Sequence, residues 1–320
     1  MRIRILSSDD VKTALPMPKA IEMMKHAYGQ LSAGKANVPL RSKISSDKGD
    51  TLLMPAYLHS KQDLGVKIVS IYKDNPLQGL PTVTAIVIVL DSQTGQPRAL
   101  IEGDSITATR TGATGGLASE LLARRNAKTV ALFGAGVQAR AQLQGVMAVR
   151  SIAQVNLFDL SASAAQKLSD EIASWADAPA VNLVSNSKEA IQQVDIIITA
   201  TTSSEPVFDG NQIKPGTHIT GVGSYTPQMQ EVDETTVRRA RIVVDSREAC
   251  LAEAGDIIIP KATIEAELGE IVNGLKPGRQ SAEEITFFKT VGVAVADAAA
   301  AAAVLNEAEK NELGTVIEVS

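Results

Sequence analysis

Apolar residues recur at two different spacings along this chain, and the change between them divides it. Ser7–Val11 reads as a helix N-cap region, and Pro18 then opens a helix. Its apolar positions Ile21, Met24, Ala27, Tyr28 and Leu31 share one face, and Gly34 ends it. From Val38 to about Leu100 short apolar runs predict strands at Thr51–Met54, Leu64–Ile71, Thr82–Leu90 and Pro97–Ile101. Clusters of Gly, Pro, Asn and Asp separate them, and Asp91–Gly95 is a hairpin-like turn. Asp104–Arg125 predicts a helix with many small residues.

From Ala127 onward strand and helix alternate. Strands are predicted at Val130–Phe133, Val155–Phe158, Ile196–Ala200, His218–Val222 and Ile242–Val244, with helices near 137–149, 161–175, 187–193 and 231–238. This alternation predicts a parallel, doubly wound sheet. After Val291-Gly292 an alanine-rich helix near 293–309 can return to the first domain. The expected fold class is α/β, with a Rossmann domain at 126–292. An α+β domain is built from 1–125 plus about 293–320.

The first run of the alternating region enters a glycine-rich turn, Gly134-Ala135-Gly136-Val137-Gln138-Ala139, and Asp159 closes the next apolar run. That is the G-x-G-x-x-A form of the dinucleotide fingerprint with its acidic partner. Gly134 permits a sharp turn, and Gly136 lets a pyrophosphate approach the free N–H groups of a helix start. Ala139 allows close helix–strand packing. Asp159 can accept hydrogen bonds from the adenosine ribose. An ordinary βα turn with small residues is the bland alternative. Asp159 favours NAD(H), because its charge repels a 2′-phosphate, while Ser161 and Ser163 leave NADP(H) open.

Composition narrows the function classes. The net charge is −5 and there is no basic cluster, which argues against a nucleic-acid partner. The single cysteine, Cys250, excludes an internal disulfide framework, and His26, His59 and His218 lack metal-ligand spacing. The N-terminus has no apolar core of signal-peptide length and no run is long enough to span a membrane, so a cytoplasmic protein is expected.

The order and spacing of several blocks resemble the ornithine cyclodeaminase/μ-crystallin family over essentially the whole chain. The blocks are Leu53-Met54-Pro55-Ala, Leu64-Gly-Val-Lys67, Gly79-Leu-Pro81-Thr, Thr94-Gly-Gln-Pro97 and Arg110-Thr111-Gly112-Ala113. They continue with Gly134–Ala139, Gly221-Val222-Gly223-Ser224 and Glu283-Glu284-Ile-Thr-Phe-Phe-Lys. The resemblance implies a homodimer joined through the first domains, which also bind substrate, and one nicotinamide cofactor per dinucleotide domain. It assigns Thr111, Gly134, Gly136, Val137, Gln138, Asp159, Ala200, Thr201, Val222, Gly223 and Ser224 to the cofactor.

Substrates of such enzymes are 2-amino or 2-imino acids, so the site needs cations for a carboxylate and a group that handles a proton at nitrogen. The resemblance matches Arg41, Lys67 and Arg110 to these catalytic tasks, with Met54 and Tyr225 as further substrate contacts. Arginine can grip a carboxylate through two parallel hydrogen bonds. Without the resemblance, Lys67 reads equally as a solvated strand lysine, and Arg110 and Arg41 as surface arginines. Asp297 is left without an assigned task, and Asp245, which ends a strand at the carboxyl edge of the sheet where ligands gather, is expected to neighbour the site.

One departure from the family pattern is informative. Cyclodeaminases carry Gly-x-Asp-x-Pro-Gly, whose Asp acts on the substrate amine, where this chain reads Gly223-Ser224-Tyr225-Thr226-Pro227-Gln228-Met229-Gln230-Glu231. That form, with Glu253-Ala-Gly255-Asp256, is similar to the family's Δ1-pyrroline-2-carboxylate reductases. The expected activity is NAD(P)H-dependent reduction of a cyclic 2-imino acid. Alternatives are an open-chain alanine- or arginine-type dehydrogenase, an ornithine cyclodeaminase, and a cofactor-retaining binding protein of the crystallin type.

Overall fold

The computed structural model describes residues 1–319. It divides into two compact units, Met1–Arg110 with the segment from Val293 onward, and Thr111–Gly292. The first opens with β1 (Arg2–Leu6), α1 (Ser8–Ala14) and α2 (Met17–Ser32). Short β2 (Ala36–Asn37) and β3 (Ser42–Ser45) lead to β4 (Asp50–Leu58), β5 (Asp63–Ile71), β6 (Val83–Leu90) and β7 (Pro97–Glu102). Helix α3 (Gly103–Leu122) contains the dividing point, after Arg110.

The second unit continues with β8 (Thr129–Phe133), α4 (Val137–Met147), β9 (Gln154–Phe158), α5 (Ala162–Ala173) and β10 (Ala180–Leu183). Then come α6 (Ser187–Ala190), β11 (Ile196–Thr199), β12 (His218–Gly221), α7 (Glu234–Arg239) and β13 (Ala240–Val244). Elements α8 (Arg247–Glu253), α9 (Gly255–Ile258), β14 (Ala266–Glu267), α10 (Leu268–Val272) and β15 (Ile285–Lys289) complete it. Helix α11 (Ala294–Lys310) and β16 (Thr315–Glu318) belong to the first unit.

In the first unit the sheet order is β16-β1-β7-β6-β5-β4-β2, with β3 paired to β4. Burial alternates along β5: Asp63, Gly65, Lys67 and Val69 are buried, and the residues between them are half-buried. Helix α11 packs on β4, β5 and β6 and against α1 and α2, so it is enclosed nearly all round. Its alanines serve that closeness. A Cβ added to Gly65 would lie 3.6 Å from the Cα of Ala298. A larger side chain at Ala298 would have to push helix from strand, an overpacking cost of about 1–3 kcal/mol.

The second sheet has the order β10-β9-β8-β11-β12-β15-β13-β14, with parallel pairing throughout. Strand β8 shows why the sheet is covered on both faces. Val130 and Leu132 join one core cluster, and Ala131 and Phe133 join the other. The chain order reverses between β8 and β11, and in such folds ligands bind at the carboxyl ends of the strands flanking this switch point.

Small residues in α3 also have a physical cause. A Cβ on Gly112 would sit 2.2 Å from the Ala141 carbonyl oxygen, and one on Gly145 would sit 1.9 Å from that of Gly112. Helices α3 and α4 therefore touch backbone to backbone, and the amide of Gln142 donates to the Thr111 carbonyl at 2.7 Å. That contact offsets the roughly 1 kcal/mol that each helical glycine costs.

Pattern reading assigns no strand to Arg2–Leu6, Ile285–Lys289 or Thr315–Glu318, yet all three pair. Each is short, and its partners are distant in sequence, so no local turn signal announces it. β15 also inserts between β12 and β13, which are consecutive strands in the chain.

Candidate active site

Lys67 lies in the middle of the first sheet. Antiparallel register places it between Met54 on β4 and Val87 on β6, with Ile101 of β7 next in the row. All four side chains are buried. An ammonium group in an apolar row needs a counter-charge, and α11 supplies it. The Gly65–Ala298 approach fixes the helix over β5, and Asp297 then reaches Lys67 two residues further along the same strand face. The Lys67 Nζ donates to Asp297 Oδ1 at 2.9 Å, and the same oxygen accepts from Arg110 Nε at 3.1 Å.

One carboxylate thus serves two cations, with all three side chains at most 6% exposed. Burial lowers the pKa of Lys67 to about 8 against the attraction of Asp297, and the Arg110 and Arg41 cations push it further down. Arg41 is half-buried at the start of β3, close enough to be felt by Lys67. Asp104 is held above its ordinary range, chiefly by burial and then by Glu102, with Lys67 opposing. Glu102 also caps α3, accepting from the Asp104 and Ser105 amides at 2.7 and 3.0 Å. Cationic groups gathered in this way, largely removed from water, are the chemistry that grips a carboxylate.

In the second unit the glycine-rich turn adopts the form a dinucleotide needs. Gly134 has φ +98°, and a Cβ there would meet the Ala200 carbonyl at 2.5 Å, so the loops after β8 and β11 close on each other. Nothing lies within 4 Å of a Cβ on Gly136. Gly136 is the N-cap of α4 and offers no side-chain cap, and the first turn has no acidic residue. Val137 is exposed and Gln138 half-buried, so this helix start presents N–H groups to an anion. Asp159 accepts from the Ala135 amide at 2.8 Å and the Ser161 amide at 2.7 Å, which orients its carboxylate beside the turn. These residues fit a dinucleotide with an unphosphorylated ribose.

The remaining candidates differ in environment. Ala200, Thr201, Val222 and Gly223 stand at the carboxyl ends of β11 and β12, and Tyr225 is an exposed loop residue just beyond. Thr111 is buried on α3 against α4. Ser224 is fully buried, and its hydroxyl donates to Met229 O at 2.7 Å and accepts from the Asp256 amide at 3.2 Å.

Asp245, at the carboxyl edge of the sheet, is engaged internally. It accepts from the Thr290 hydroxyl and the amides of Val291 and Gly292, clamping the segment that leaves the second unit. Burial pushes the Cys250 thiol well up, which leaves it inert as a nucleophile. His218 is buried between Thr220 and Thr286 and its pKa falls to about 3, chiefly by burial, so it stays neutral. Among the described residues no cluster of His, Cys, Asp or Glu could hold a metal, and no helix is long and apolar enough to cross a membrane.

Asp297 is the member of this cluster that the sequence left unassigned. A single acid in an alanine-rich, buried helix is the signal that could have found it, because such a carboxylate requires a cationic partner.

A parallel switch-point sheet with a glycine-rich helix start, in a chain that also builds a buried cluster of Lys67, Arg110 and Asp297, defines a dinucleotide-binding α/β protein. The chain belongs to the ornithine cyclodeaminase/mu-crystallin family, whose model matches residues 2–312. It is 37% identical over 324 residues to a Δ1-pyrroline-2-carboxylate reductase of Bacillus cereus, covering 98% of this chain and 99% of that protein.

Among solved structures, it resembles the Thermococcus litoralis Δ1-pyrroline-2-carboxylate reductase in complex with NADH and L-proline. The TM-score is 0.93 and the identity 42%, covering 98% of this chain and 99% of the other. An archaeal alanine dehydrogenase dimer with bound NAD matches at TM-score 0.93 and 33% identity, with both chains covered completely.

Proposed function

We propose that this protein is an NAD(H)-dependent reductase of cyclic 2-imino acids, converting Δ1-pyrroline-2-carboxylate to L-proline. The observation that carries this reading is the buried Lys67–Asp297–Arg110 cluster, in a chain 42% identical to a reductase solved with NADH and L-proline. The substrate carboxylate is a further anionic partner for the cations of the cluster. Arg110 takes it through its guanidinium, and Arg41 adds a second contact. Lys67 keeps its proton below about pH 8 and holds a proton at the imine nitrogen. When bound, a reduced nicotinamide supplies the hydride that C2 of the imine gains. The chain's own contribution is orientation of the carboxylate and control of that nitrogen proton.

Tyr225 supports reduction over cyclodeamination. Ornithine cyclisation needs a carboxylate to hold the δ-ammonium and take its proton, and a phenol brings no such charge. Asp245 does not replace it, because its oxygens are engaged by backbone and side-chain donors of its own unit.

A substrate panel tests the reading. Δ1-pyrroline-2-carboxylate is expected to oxidise NADH and yield proline by chromatography, while ornithine yields neither proline nor ammonia at a useful rate. Pyruvate with ammonia separates the open-chain dehydrogenase. Faster turnover of that pair, or robust ornithine conversion, overturns the proposal. The same panel run with NADPH tests Asp159, and equal kcat/KM with both cofactors contradicts its assignment to the ribose.

The outward face of the first sheet supports a homodimer. Leu53, Ile68 and Ile86 form one cross-strand row on the face opposite Lys67, and Pro55, Val66, Ile88 and Leu100 form the next. None of these seven residues is buried in the single chain. Contiguous apolar rows of this kind mark an association surface. A monomer mass in sedimentation equilibrium would contradict it.

A further inference from the structure

The stretch Met229-Gln230-Glu231 and the Gly255-Asp256 pair stand out in the sequence, yet neither contributes to the proposed chemistry. The structure joins them. Glu231, Asp256 and Lys289 are each fully buried in the second unit, and Lys289 Nζ lies 3.2 Å from Asp256 Oδ2. Asp256 Oδ1 accepts from the amides of Glu231 and Val232 at 2.7 and 3.0 Å, which fixes the backbone carrying Glu231.

The Glu231 carboxylate then reaches both loops at the carboxyl edge of the sheet. Its Oε1 accepts from the Thr201 amide at 2.6 Å and the Thr201 hydroxyl at 2.8 Å. Its Oε2 accepts from the Gly223 amide at 2.6 Å and the Thr199 hydroxyl at 3.0 Å. Two donors meet each oxygen, and among side chains only an ionised carboxylate offers acceptor sites for all four. The loops it joins are already in contact, since a Cβ on Gly223 would fall 2.0 Å from the Thr201 carbonyl oxygen.

We propose that Glu231, held by Asp256 and Lys289, is a positioning residue that sets the spacing of the Thr199–Thr201 and Gly223–Ser224 segments and so shapes the nicotinamide end of the cofactor site. This rests on the dinucleotide reading of the second unit. The adenosine end is built separately, from Gly136 and Asp159, so the two ends are separable by experiment.

Glu231→Gln keeps the size but turns one acceptor oxygen into a donor, leaving two N–H or O–H groups facing an NH2. Binding of NADH and of ADP-ribose, which lacks the nicotinamide, is measured for both proteins. NADH affinity is expected to fall about tenfold or more while ADP-ribose affinity stays within about twofold. A loss only of folding stability lowers the melting temperature without changing that ratio. An unchanged ratio overturns the proposal.

Thr199→Val removes one donor at nearly constant volume and serves where Glu231→Gln does not fold. It is expected to shift the ratio in the same direction, and no shift counts against the brace. Amide hydrogen exchange without cofactor gives a readout independent of the dinucleotide reading. The Thr201 and Gly223 amides are expected to exchange faster in the variant, and unchanged protection there overturns the brace. Failure of the unmodified protein to bind NADH overturns both the dinucleotide reading and the proposed task of Glu231, leaving exchange to report only on the hydrogen bonds.

Discussion

Lys67→Met is expected to lower kcat/KM for imine reduction by about a thousandfold while NADH affinity changes by less than about twofold. The substitution suits its surroundings. Met54, Val87 and Ile101 already make an apolar row, and removing the ammonium leaves Asp297 still paired with Arg110. The fold is retained and the loss falls on chemistry. In the unmodified enzyme the rate of reduction is expected to decline above about pH 8, as Lys67 gives up its proton. That limb should vanish in Lys67→Met. Its persistence unchanged would assign it to the substrate, and near-normal turnover by the variant would remove Lys67 from the proton-handling task.

Asp297→Asn is expected to be the most damaging conservative change to the fold of the first unit. It keeps the shape but removes the charge that Lys67 and Arg110 share, a loss of about 3–5 kcal/mol by analogy with other broken buried pairs. The sign of the pH dependence follows from Lys67. Its folded pKa is already about 8 against an ordinary 10.5, and loss of Asp297 lowers it further. Between the two values the unfolded chain binds the proton and the folded chain does not, so stability rises with pH in that window. Denaturant unfolding of the variant should therefore show a larger deficit near pH 7 than near about pH 9. A deficit below about 1 kcal/mol at neutral pH would mean the cluster tolerates its missing charge.

Much of this arrangement is legible in the sequence, for local reasons. The β8–α4 turn announces itself through Gly134, Gly136 and Asp159, because phosphate binding at a helix start demands residues close together in the chain. Strand β5 shows its period of two, and α2 its apolar face. What stays hidden is set by distant partners. Nothing around Asp297 names Lys67, some 230 residues away. The glycines of α3 look like a weak helix until Ala141 and Gly145 are seen against them. Asp245, by contrast, is placed where ligands gather, yet its donors come from Thr290, Val291 and Gly292, which no reading of its own strand reveals.

The first unit is closed by both ends of the chain: β1 pairs with β16, and the Met1 amine donates to the Val319 carbonyl at 2.9 Å. On the ribosome this reverses the order of assembly. The whole of Thr111–Gly292 has been synthesised while Lys67 and Arg110 still lack Asp297, and the first sheet still lacks its edge and its covering helix. Domains generally fold as units, and here the segment made second is the one able to fold first. The cation cluster acquires its carboxylate only when α11 is synthesised. A translation product truncated before that helix would carry the whole of Thr111–Gly292 but a first sheet without its covering helix and without the carboxylate of Asp297.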